Sequence, residues 1–134
     1  MIRIDTNSSK PIYEQIYSEF VRLIVSRVLK PDEKIPSVRE LASTVRINPN
    51  TIHKAYKLLE MDEYIRSEQG KGYFVKGQID LINTYMKGIE LDLKDAIKAL
   101  RLIKMTDEEI INLIKNLLKG DEGHDKNWRT KQMV

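Results

Sequence analysis

KIPSVRELASTVRINPNTIHKAYKLLEMDEYIRSEQGKGYFV, residues 34–75, decides the fold because it sets two short helices and a hairpin in immediate succession. Pro36 stops whatever precedes it, and Ser37 opens a helix. Its hydroxyl is placed to accept a backbone amide, while Glu40, three residues on, reaches back to complete a capping box. Val38, Leu41, Ala42 and Val45 then recur at i, i+3, i+4 and i+7, the spacing of a helix with one apolar stripe. A short turn, Arg46 to Asn48, follows. Pro49 suits the first position of a second helix, where its missing N–H would be unpaired anyway. That helix, 49–61, puts Ile52, Ala55, Leu58 and Leu59 on a buried side. It leaves Asn50, Thr51, His53, Lys54 and Lys57 on or beside the exposed one.

After it, Tyr64–Arg66 and Tyr73–Val75 are β-prone runs separated by SEQGKG, which predicts a hairpin. Gly70 and Gly72 supply freedom at positive φ, and Lys71 between them projects a charge from a backbone with little bulk. Such a tip fits a narrow groove. Amide and hydroxyl side chains near a helix N-terminus can hydrogen-bond base edges, whereas lysines mostly neutralise phosphates. Helix, turn, cationic helix and glycine-tipped hairpin together therefore point to a DNA-binding module.

The elements KIPSVRELA, NPNTIHKAYKLLE and GKGYFV resemble the GntR family of bacterial transcription regulators, most closely its small YtrA-type branch, over roughly residues 10–76. The resemblance implies a winged helix-turn-helix with Arg39, Asn48, Asn50, Thr51 and His53 approaching DNA and Gln69, Gly70 and Lys71 at the wing tip. Ser37, Lys54 and Lys57 complete the candidate DNA contacts. The family pattern carries glycine where this chain has Glu33, Arg46 and Glu63, and threonine where it has Tyr73. A non-glycine residue forced into the left-handed region costs about 1–2 kcal/mol, so each of those turns is expected to carry strain.

Upstream, KPIYEQIYSEFVRLIVSRVL starts a scaffold helix at Pro11 with Tyr13, Ile16, Tyr17, Phe20, Leu23, Ile24 and Val28 on an apolar face. MIRIDTNSS before it pairs as a short strand or stays loose. Downstream, Ile79, Ile82, Met86, Ile89, Leu93, Ala96, Leu100 and Ile103 alternate in steps of three and four, a heptad seam. A helix from Ile79 to Lys104 would be about 39 Å long, too narrow to bury its own stripe. Thr106 and Glu109 announce a second helix by a capping box, and Gly120 is its expected stop. The expectation is a helical hairpin that dimerises through Ile82, Met86, Ile89, Leu93, Ala96, Leu100, Ile103, Ile110, Ile114 and Leu117, spacing two reading helices about 34–36 Å apart. The same seam would also serve as an intramolecular core.

The fold class is thus mainly α with a small β-hairpin wing: a winged helix-turn-helix over 1–77, a helical dimerisation region over 78–119 and a flexible tail over 120–134. The net charge of +3 lies wholly in residues 1–77, which hold 13 Lys+Arg against 10 Asp+Glu, a balance that suits an anionic partner. No run approaches the ~18 apolar residues of a membrane span, no leader is visible and there is no cysteine, so the cytoplasm is the expected compartment. No thiol, phosphate-binding glycine motif or metal-spaced histidine cluster supports catalysis, so no enzyme, cofactor or metal is expected. The expected partners are double-stranded DNA and a second copy. Repression of transporter genes is what the resemblance implies; the effector cannot be read. An adaptor that kept the winged fold without reading DNA fits the same residues.

Overall fold

The computed structural model describes residues 2–133, apart from the side chains of residues 79 and 121–133. The chain divides into two compact units, Met1–Gly88 and Ile89–Val134. The first turns of the long helix after the wing therefore belong to the winged unit, where Leu81 joins the core.

In the first unit, α1 (Ile12–Val25), α2 (Val38–Val45) and α3 (Pro49–Met61) are followed by β1 (Ile65–Glu68) and β2 (Gly72–Val75). Ile16, Phe20, Leu23 and Ile24 from α1, Leu41 and Ala42 from α2, and Ile52, Ala55, Tyr56 and Leu59 from α3 form one core with Ile35, Ile65 and Val75. Tyr56 fills the buried side of α3, while Leu58, expected there, is half-buried. Tyr56 stands edge-on to Phe20 at 5.4 Å and to Tyr73 at 5.1 Å, a preferred aromatic geometry. Burial raises its phenol pKa well above the ordinary range, and its O–H donates to the Pro36 carbonyl at 2.7 Å. α3 is thereby tied to the entry of α2.

Two expectations at the N-terminal end change. α1 ends at Val25, Arg27 turns left-handed at φ 66°, and Val28 is 58 % exposed instead of lying on the apolar face; Leu29 is buried in its place. Residues 2–5 form no strand, yet Ile2 and Ile4 pack against the core, and Asp5 is held by Gln15 through a reciprocal pair of hydrogen bonds.

The hairpin is antiparallel, with Ile65 opposite Val75 and Glu68 opposite Gly72, and Lys34 bridges to Phe74 on the outer side of β2. Arg66 braces it: one guanidinium nitrogen donates to Asp32 Oδ1 and to the Val75 carbonyl, both at 2.9 Å, and the other to Glu68 at 3.1 Å. Two further contacts fasten the wing to α3, the Tyr73 ring on Tyr56 and a Ser67 hydroxyl donating to Glu60 at 2.6 Å.

In the second unit the remainder of α4 (Gln78–Leu102) turns through Ile103–Met105 into α5 (Asp107–Met133). The turn has Lys104 at φ 66°, and Thr106 and Glu109 make the reciprocal capping box, their amides donating to each other's side chains at 2.9 and 3.2 Å. Arg101 pairs with Asp107 across it at 2.9 Å. α5 does not stop at Gly120. A single glycine costs a helix only about 1 kcal/mol and no proline follows it, so the hydrogen-bond ladder continues. The mobility expected of 120–134 concerns side chains outside the described residues.

Candidate nucleic-acid interface

The site is built from α2, the turn after it, α3 and the wing. α2 starts as the capping-box pattern requires: Ser37 N–H donates to Glu40 Oε1 at 3.0 Å and Glu40 N–H to Ser37 Oγ at 3.1 Å. The Ser37 backbone N–H holds the Glu40 carboxyl below the usual carboxylate range. α3 begins at Pro49, with Asn48 as its cap: Asn48 Oδ1 accepts the Asn50 N–H at 2.8 Å.

Along α3, Asn50, His53 and Lys57 follow one another at helical steps and are exposed, while Ile52, Ala55, Tyr56 and Leu59 are buried on the other side. Thr51 lies half-buried on the flank. A polar, cationic strip thus faces outward from a helix whose other side is fixed in the core. The wing tip is Gln69, Gly70 and Lys71, all exposed; Lys71 N–H donates back to the Glu68 carbonyl at 2.9 Å, and Gly70 takes φ 75°. At Gly72 the backbone takes φ 114°, which calls for glycine; the nearest atom to an added β-carbon, Lys34 Cε at 3.2 Å, belongs to an exposed side chain that can move aside.

Three expected contacts are engaged inside the protein. The Ser37 hydroxyl and the Asn48 amide oxygen serve as helix caps, which leaves Asn48 its NH2 group and one lone pair of its oxygen to offer outward. The Lys54 ammonium lies 4.0 Å from the centre of the Tyr13 ring, a cation–π contact that draws it toward α1. Among the described residues, the side chains of Arg39, Asn50, Thr51, His53, Lys57, Gln69 and Lys71 make no hydrogen bond or ion pair, so they remain available.

On the helical side, Ile82, Met86, Ile89 and Leu93 are 37–59 % exposed and Ile103 70 %. Ala96, Ile114 and Leu117 are also exposed, and Leu100 is half-buried. Ile110 differs: at 5 % exposure it is buried within its own chain and has no surface to give a partner. The Ile79 side chain lies outside the described residues. Among the described residues no cluster of three metal-ligating side chains occurs, and no helix is long and apolar enough to cross a membrane.

Comparison with known proteins agrees with this geometry. Residues 12–75 match the model of the bacterial regulatory proteins, gntR family. The chain is 37 % identical over 129 residues to the HTH-type transcriptional repressor YtrA of Bacillus subtilis, covering 95 % of this chain and 99 % of that one. A GntR family transcriptional regulator from Listeria monocytogenes superimposes with a TM-score of 0.62 at 32 % identity, covering 82 % of this chain and 97 % of the other. The DNA-binding domain of AraR, solved in complex with operator ORX1, matches 56 % of this chain and 94 % of its own with a TM-score of 0.50 at 31 % identity. A capped positioning helix, a second helix with its polar strip outward, a glycine-tipped wing and full-length similarity to a repressor converge on one conclusion: this chain belongs to the GntR family of DNA-binding bacterial transcription regulators.

Proposed function

We propose that the protein is a homodimeric repressor that occupies an inverted-repeat operator and excludes polymerase. The observation that carries this reading is the outward polar strip of α3, Asn50, His53 and Lys57, on a helix whose opposite side is locked in the core. In the reading, Asn50 and Thr51 discriminate base edges in the major groove and Arg39 and Lys57 neutralise phosphates, while Lys71 at the wing tip clamps the flanking backbone or minor groove. Dimerisation uses the exposed apolar residues of α4 and α5; so much apolar surface at heptad spacing calls for a partner helix. The operator-bound AraR domain supports the DNA partner, and the similarity to YtrA supports repression. Transporter genes are the targets that the YtrA-type resemblance implies.

The test is competition binding on DNA from upstream of the protein's own gene at several salt concentrations. With ~8 phosphates neutralised per dimer, log K falls against log salt with a slope of about −7. Asn50→Ala relaxes sequence preference, whereas Lys71→Ala weakens all sequences nearly alike. Equal losses on operator and random DNA from Asn50→Ala would contradict the assignment. A flat titration of the folded protein on any duplex would favour the adaptor instead.

A further inference from the structure

The turn between α2 and α3 contains an arginine where the backbone asks for glycine. α2 closes with Arg46 at φ 57° and ψ 46°, its N–H and that of Ile47 both reaching the Ala42 carbonyl, the Ile47 bond at 3.1 Å. This is the left-handed helix ending that glycine makes without strain and an L residue makes against its own Cβ. Four other non-glycine residues share such a φ, at Arg27, Asp32, Glu63 and Lys104, but only Arg46 lies in the helix-turn-helix turn. Ile47 next to it packs against the core, and Asn48 caps the reading helix. The Arg46 side chain is exposed and, among the described residues, makes no hydrogen bond or ion pair. It therefore braces nothing inside the protein.

We infer that Arg46 is an additional DNA contact, a guanidinium that grips a phosphate of the strand beside the reading helix. This rests on the DNA-binding reading above. In a helix-turn-helix the first helix crosses the backbone while the second enters the groove, so the turn joining them runs close to phosphates. A guanidinium offers two parallel N–H donors to a phosphate, which anchors register as well as charge. Arg27, Glu63 and Lys104 are exposed at a similar φ, so what singles out Arg46 is its guanidinium in the turn that joins the two helices.

The experiment compares wild type with Arg46→Gly, Arg46→Asn, Arg46→Lys and, as a benchmark, Lys71→Ala. Each is titrated against a random-sequence duplex long enough for both half-sites, over a salt series, with thermal melting alongside. Glycine and asparagine both accept the left-handed turn, so these variants keep or raise the melting temperature. Their affinity for the duplex drops roughly tenfold, and the slope of log K against log salt becomes shallower by about 2 per dimer. Arg46→Lys keeps the wild-type slope. The inference is overturned if Arg46→Gly binds with wild-type affinity and slope while Lys71→Ala does not, or if Arg46→Lys loses the slope as Arg46→Gly does. A folded wild type with no salt-dependent duplex binding would overturn the DNA-binding reading itself, and this inference with it.

Discussion

Replacing Tyr56 by phenylalanine removes one oxygen from the centre of the winged unit and gives a result that depends on pH. The hydroxyl donates to the Pro36 carbonyl at 2.7 Å, and the ring is wholly buried between Phe20 and Tyr73. The apolar ring contacts survive the change, so the loss is the hydrogen bond. Losing one neutral, part-buried hydrogen bond of this kind costs about 1 kcal/mol at neutral pH. Burial raises the folded phenol pKa well above its unfolded value of about 10. Above pH 10 the unfolded chain releases this proton while the folded chain keeps it. The stability contributed by the neutral phenol is therefore intact below pH 10 and erodes as pH rises, by up to about 1.4 kcal/mol per pH unit. Phenylalanine has no proton to lose. The penalty of Tyr56→Phe should accordingly shrink above pH 10 and cross zero between about pH 10.5 and 11. Tyr64, whose pKa is raised in the same direction by burial, is present in both proteins and cancels. Urea denaturation of the two proteins in parallel from pH 8 to 11 measures the difference. A penalty that stays constant across that range would refute the buried, neutral phenol, and equal stabilities at pH 8 would refute the hydrogen bond.

Other substitutions test other parts of the structure. Ser37→Ala removes the hydroxyl half of the capping box at α2 and should cost about 1 kcal/mol, read as a lower melting temperature. Gly88→Ala should stabilise the chain by up to about 1 kcal/mol, since a β-carbon there meets nothing within 4 Å and the residue lies inside α4; a loss in urea denaturation would show that the glycine is needed. Leu93→Glu places a charge on the exposed apolar seam and should shift sedimentation from dimer to monomer while the circular dichroism of the helices is kept. An unchanged sedimentation profile would remove Leu93 from any interface.

What the sequence disclosed about this protein was mostly what neighbouring residues settle among themselves. Ser37 and Glu40, Thr106 and Glu109, and Gly70 and Gly72 act within a few positions of one another, so cap and turn chemistry identified each in advance. The left-handed φ expected near Glu33 falls instead on Asp32, whose carboxylate is then in place for Arg66. That pair spans 34 residues and no local pattern announces it. The same holds for Lys54, which an exposed-helix pattern assigns to phosphate and which the packing of α1 against α3 turns onto Tyr13. Asn48 was legible in principle: an asparagine directly before a proline at the first helical position is a capping signal, and capping takes up one lone pair of its oxygen. Helix ends were the least legible. Gly120 carries the composition of a stop without the proline or the left-handed turn that would enforce one.

The fastening of the wing to α3 through Tyr73 on Tyr56 and Ser67 on Glu60 has a mechanical consequence. Hairpin and α3 are tied at two points and should move together, as the two jaws of one gauge. A duplex whose groove spacing differs from that gauge must itself bend or untwist to be held. Sequences rich in pliant pyrimidine–purine steps between the jaws should then be preferred even at base pairs that no side chain reaches.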